Sequence, residues 1–453
     1  MIASLRAHLF RWSEPAGRSV NERIFAAALT VGALATLVRI LGGAKVVVIA
    51  NHFGTGDALD AFLIAFLLPA FVAEVLAASF SAALIPTFIE VRDNEGREKA
   101  IELMSGVLFW TVGLLLAGSL AMALLSRGIV SLLGSGFPAG KLALAQSLFL
   151  AMAPVFVLTG ISATWRAVLN AGERFVLPAL APGMTPLVTI LLLVILERRW
   201  GAYTLAAGAV AGTIVEVILV GCAMKQQGYP LLPRRRLADP RLRMVGEQYA
   251  PLLAGALISG GSVLVDQAMA STLGPGSVSV LGYGIKIVTV VLAIGTTAIS
   301  TAVLPHFSKM TARRDWAGVR ATLGFYLRGV LKISVPIILV LMYFAEPVVR
   351  ALFQRGAFTE ADTHLVANVQ AFSLLQVPIC LAGVLIVRVI SALKSNHLLL
   401  RGALLNLAVN VVLNLVFMRW WGVAGIALST TVTHLVSYGY LFVMMRRLVR
   451  RAA

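Results

Sequence analysis

Charge is what this sequence has least of. Charged side chains make up 13% of its 453 residues, against about 25% in an average soluble domain. So few charges cannot cover a fold that meets water on every side, and a water-soluble protein is excluded. Cysteine is scarcer still: Cys222 and Cys380 stand far apart inside apolar stretches. That excludes a disulfide framework and a cysteine metal cluster, and leaves packing as their expected role. Strand-like alternation of apolar and polar residues is absent as well, which excludes a transmembrane barrel.

What is present is apolar length. Hydrophobic residues make up 59% of the chain, in runs of the about 20 residues that a helix needs to cross a hydrocarbon layer. The reading is all-α: a polytopic membrane protein with about twelve spans, near 24–48, 61–90, 100–125, 143–168, 175–197, 202–223, 247–271, 279–307, 321–345, 366–392, 398–418 and 423–445. Residues 1–23 read as a retained basic arm, 226–246 as a basic linker and 447–453 as a basic tail. Between them lie an N-lobe, 24–225, and a C-lobe, 247–446, of six spans each. Lys and Arg fall mainly on the side of the N-terminus, 23 against 7 on the other side. The excess of basic residues in cytoplasmic loops therefore predicts that both termini are cytoplasmic. Orientation and anionic lipids account for these basic loops, so no nucleic acid is implied.

The two lobes read as a repeat. Pro86 in SAALIPTF matches Pro305 in STAVLPHF, Gly42-Gly43 matches Gly260-Gly261, Gly54-Thr55-Gly56 matches Gly274-Pro275-Gly276, and Trp200-Gly201 matches Trp421-Gly422. An even number of spans per half gives both halves the same orientation, which predicts parallel six-helix lobes around a central cavity, as in alternating-access transporters.

Arg39 and Lys45 stand inside an apolar run, where a cation at mid-bilayer costs roughly 2.5–3.5 kcal/mol or more. On a helix they lie about 120° apart, and Gly42-Gly43 between them is expected to bend the helix or allow close packing. Both can face one cavity, or each can snorkel to an interface. The repeat-related helix has no matching cations, which favours a ligand. Catalytic signals are poor. GSGFPAGKL at 134–142 lacks the first glycine, the Ser or Thr after the lysine and the preceding strand of a phosphate loop. A non-enzymatic protein driven by an ion gradient or the membrane potential is expected, with no cofactor and no metal.

The stretches VRILGGAKVVVIANHFGTGDALDAF, SFSAALIPTF, NAGERFVLPALAP and ALFQRGAFTEAD resemble the lipid II flippases of the multidrug/oligosaccharidyl-lipid/polysaccharide exporter superfamily, over nearly the whole chain. The resemblance implies two lobes with a cationic cavity that carries a polyprenyl-diphosphate-linked glycan across the bacterial cytoplasmic (inner) membrane, with that glycan and membrane lipids as the expected partners, in a monomer. It places Arg39 on the family's first essential arginine, Lys45 and Lys286 on two further arginines, and Asp60 on its acidic residue at the head of the second helix. Ala73 and Glu74 replace its adjacent arginines, Val46 replaces an Asp, and the twelve spans compare with the family's usual fourteen.

Around such a cavity, Arg39, Lys45 and Lys286 are the expected diphosphate ligands, with Asp60 at the rim. Glu74 is expected to pair with a cation or to hold a coupling ion. Arg328 and Lys332 share one helix face, as do Asn406, Asn410 and Asn414, whose amides suit sugar hydroxyls or helix packing. Arg166 and Arg388 are expected to snorkel, and Glu216 and Asp266 are further acids within the spans. Two alternatives stand beside the flippase: a cation-coupled multidrug exporter, whose cavity would have to accept cations, and a non-transporting envelope-glycan assembly protein.

Overall fold

The computed structural model describes residues 20–232, 240–393 and 395–452, with the backbone alone at some helical positions, Glu74 among them. The arm 1–19 and the arginines at 234–236 lie outside the described residues. Helix is the only regular structure among the described residues. A lipid-embedded chain must satisfy its peptide groups internally, and helices do so within one segment.

Ten of the helices are long and apolar enough to cross a membrane. One of them, His397–Arg450, runs for 54 residues and turns at Gly422, so it accounts for two passes. Asp57–Glu95 is a further apolar helix of 39 residues. Counted this way, the described residues hold twelve apolar stretches of spanning length, as many as the sequence reading places. Their surfaces carry large apolar residues outward: Leu114 is 66% exposed, Leu120 62% and Val194 69%. Lipid, not water, is the medium that such a surface fits.

The repeat is written into the backbone as well as the residues. Gly201 has φ 50° and ψ −130°, and Gly422, its counterpart, has φ 54° and ψ −131°. A side chain is disfavoured at such angles, which explains why both turns use glycine.

The chain gathers into two compact units. The first holds the chain up to Val48 with Val72–Leu124 and Leu150–Leu252; the second holds Ile49–Phe71, Leu125–Phe149 and Leu253 onward. In the first, Phe88, Met104, Val168 and Trp165 belong to one buried cluster. In the second, Val303, Phe307, Leu385 and Val389 form another.

Gly42 and Gly43 lie within the helix Val20–Phe53, and a Cβ at either would meet no atom within 4 Å among the described residues. Gly260 differs, since a Cβ there would lie 2.3 Å from the Phe71 ring, whereas at Gly261 the nearest atom, on Leu407, is at 3.6 Å. Among the described residues, Gly260 is the one of the four where a side chain would collide. Both cysteines are free, and Cys222 is exposed, so packing does not account for it.

Candidate functional site

Asp60 lies in the first turn of Asp57–Glu95 and is fully buried. Its Oδ2 accepts from the Gly276 amide at 2.8 Å, and its Oδ1 from the Ser279 amide at 2.8 Å. These amides open the helix Ser277–Gly284, so one carboxylate caps a helix 216 residues away in sequence, where the helix dipole favours an anion. Lys141 completes the centre. Its Nζ lies 2.8 Å from Asp60 Oδ2 and 2.6 Å from Asp57 Oδ1, and 4.0 Å from the centroid of the Phe137 ring. Asp60 therefore stands in a closed ion pair and is not offered to a ligand at a cavity rim.

Glycines let backbones close around this centre. A Cβ on Gly54 would lie 2.3 Å from the Ala357 oxygen, on Gly276 2.4 Å from the Thr55 oxygen, and on Gly356 2.2 Å from the Asn51 oxygen. Gly54, Gly276 and Gly356 also have positive φ, so both space and conformation demand glycine. The Ala357 amide donates to the Asn51 oxygen at 2.8 Å, and the Thr55 hydroxyl donates to Asp362.

The cations expected to bind the diphosphate occupy both units. Arg39 is exposed and Lys45 half-buried on Val20–Phe53, in the first unit. Lys286 is exposed at the start of Lys286–Ala312, in the second. Arg328 and Lys332 are exposed on Trp316–Tyr343, and the Arg328 Nε donates to the Gly324 oxygen at 3.1 Å. The Glu74 side chain lies outside the described residues.

The asparagine stripe divides. Asn410 and Asn414 are fully buried and donate to Asp266 Oδ1 at 3.0 and 2.7 Å, and the Thr430 hydroxyl donates to Asp266 Oδ2 at 3.2 Å. Ser429 donates to Asn414. These two asparagines join three stretches of helix and are not presented to sugar hydroxyls. Asn406, half-buried, is outside this network. Both amides turn their nitrogens, and Thr430 its hydroxyl, toward the Asp266 carboxylate.

Arg166 and Arg388 each lie beside a polar side chain. Arg166 Nε lies 3.6 Å from Glu216 Oε1, which also accepts from the Ser162 hydroxyl at 2.6 Å. Arg388 donates to the Ser300 hydroxyl from Nη2 at 2.8 Å. Both neighbours belong to the arginine's own unit.

Lys141 joins the site without a signal in the sequence motifs, since its segment reads there only as a failed phosphate loop. A lysine in the first turn of Ala139–Ala151 opposes the helix dipole, and that local conflict was the available signal that a carboxylate must lie nearby.

Known proteins resemble this chain along most of its length. It is 28% identical over 440 residues to the lipid II flippase MurJ of Burkholderia cenocepacia, covering 94% of this chain and 84% of that protein. It is 26% identical to the probable lipid II flippase MurJ of Vibrio cholerae, with 94% and 83% covered. Its fold matches a lipid II flippase MurJ in an inward closed conformation, with TM-score 0.80 at 22% identity over 92% of this chain and 87% of that one. It also matches an inward-facing multidrug-resistance MATE transporter, with TM-score 0.77 at 13% identity over 94% and 98%. The family model described as lipid II flippase MurJ matches residues 49–451, and the chain belongs to that family.

Proposed function

We propose that this membrane protein is a flippase that moves lipid II, or a closely related polyprenyl-diphosphate-linked glycan, across the bacterial cytoplasmic membrane, with both termini in the cytoplasm. It works as a monomeric transporter and not as an enzyme. The observation that carries the reading is the placement of Arg39 and Lys286 exposed on membrane-spanning helices in a chain of the lipid II flippase family. Charges left in lipid would be costly, so cations retained there mark a path for an anion.

Arg39, Lys45 and Lys286 each offer a positive charge to a diphosphate, which exchanges water for such charges on entry and returns to water on release. Lysine at two of the three positions supplies charge without the bidentate fork of arginine, and so holds phosphate less rigidly. Energy comes from the membrane potential, or from a coupling cation at the Asp266 centre, whose oxygens are suited to one.

The test is reconstitution. Proteoliposomes carry labelled lipid II or a polyprenyl-diphosphate lipid with another glycan, and outward accessibility is followed with and without a membrane potential. Translocation of either lipid is the expected result, and the preferred one identifies the cargo. Failure of both under every gradient sinks the reading.

A further inference from the structure

One end of the first unit holds a cavity of about 250 Å³, lined by Arg92, Arg97, Arg174, Gly172, Gln227 and Tyr229. None of these belongs to the cation set above. The three arginines come from separate segments. Arg92 is in the last turn of Asp57–Glu95, Arg97 opens Arg97–Leu124, and Arg174 follows the helix Ala153–Ala171.

Local backbone geometry aims them. After Ala171 the chain turns back on itself: the Gly172 amide donates to the Val168 oxygen, and the Arg174 amide to the Leu169 oxygen at 2.9 Å. Between them Glu173 has φ 58°, a left-handed conformation that a non-glycine residue rarely adopts. A second turn of this kind, through Gly228 at φ 74°, has the Tyr229 amide donating to the Met224 oxygen at 3.0 Å. The Arg97 guanidinium lies 5.3 Å from the centroid of the Tyr229 ring and donates to the Gln227 oxygen. A Cβ on Gly228 would stand 3.1 Å from Arg97 Nη2.

Two plainer roles explain part of this. Arg92 donates to the Ala171 oxygen at 2.8 Å, and Arg97 to the Gln227 oxygen, so both cap helix C-termini, as basic residues do. The positive-inside tendency also places cations in such loops. Neither requires three guanidinium groups from separate segments to line one cavity. Two carboxylates nearby have cation partners. Asp93 lies 2.9 Å from Arg92 and Glu95 2.7 Å from Arg241, while Arg97 has no carboxylate partner among the described residues.

We propose that this cavity binds a phosphate group. Guanidinium forks match phosphate oxygens in pairs, and a capped arginine retains donors beyond the one its carbonyl takes. The cavity's walls are the ends of membrane-spanning helices, so it sits at the bilayer surface, where phosphate is offered by an anionic lipid headgroup or by a soluble phosphate. Basic pockets at such surfaces recognise headgroups.

The full-length protein is placed in nanodiscs of phosphatidylcholine and titrated in separate arms with phosphatidylglycerol, read by native mass spectrometry, and with inorganic phosphate, read by phosphorus NMR. Wild-type protein should bind one of them at a single strong site, and the arm that saturates names the source. Arg97→Gln/Arg174→Gln should weaken that site at least tenfold, while Arg313→Gln/Arg314→Gln, altering arginines of the other unit, should leave it unchanged. If the first double variant does not fold, Arg174→Gln alone serves the comparison, and Arg174→Lys should retain most binding. Equal binding by wild type and Arg174→Gln, or no binding by wild type in either arm, overturns the proposal. Flipping activity does not enter the readout.

Discussion

Lys141 and Asp60 form an ion pair at 2.8 Å in which the lysine side chain is 5% exposed and the carboxylate 0%. The pair joins the heads of two helices, and through the Gly276 and Ser279 amides the carboxylate holds a third. Removing one partner of a buried pair strands the other charge, which costs about 3–5 kcal/mol. Lys141→Met should therefore lower the thermal midpoint of the purified protein sharply. Adding Asp60→Asn should restore part of the loss, because no unpaired charge then remains at Asp60. Additive losses in this double-mutant cycle would show that the two residues do not act as a pair.

Glycine substitutions should separate the crowded positions from the open ones. Gly54→Ala places a Cβ within 2.3 Å of the Ala357 oxygen at φ 54° and should destabilise the protein by more than about 1 kcal/mol. Gly42→Ala meets no neighbour within 4 Å on a helix, and should stabilise by about 0.5–1 kcal/mol through helix propensity. Thermal unfolding of the two variants side by side checks the order. A reversed order would mean that the closure around Asp60 does not bear on stability.

Asp266 accepts from the amides of Asn410 and Asn414, so Asp266→Ala leaves two buried donors unmet, at about 1–3 kcal/mol each. The expected outcome is a lower thermal midpoint with insertion preserved. If a coupling cation binds here, Na⁺ or K⁺ raises the midpoint of wild-type protein and leaves that of the variant unmoved. Equal salt responses would remove Asp266 from coupling.

Arg39 is exposed on its helix and makes no ion pair among the described residues, so Arg39→Ala should leave folding and insertion intact. Translocation of a diphosphate lipid should fall by at least tenfold, because a charge facing the anion is lost. Lys45→Arg keeps the charge and should be the milder change. Outward accessibility of labelled lipid in proteoliposomes measures both. Equal rates for wild type and Arg39→Ala would take this residue out of the path.

The sequence by itself determined the class of fold, the number of passes, the repeat and the cations at Arg39, Lys45 and Lys286. These are local properties: a span is a length of apolar residues, and a lysine within one is visible without knowing its neighbours. The repeat was legible for the same reason, since Gly201 and Gly422 must be glycine wherever their shared backbone turn falls. Only the tertiary structure decided who pairs with whom. Asp60 meets Lys141 across 81 residues and Gly276 across 216, Asn410 meets Asp266 across 144, and Arg166 lies 3.6 Å from Glu216. The low dielectric of a membrane interior makes such pairing obligatory for a buried charge. Spacing along the chain cannot reveal the partner, because helix packing brings the two together.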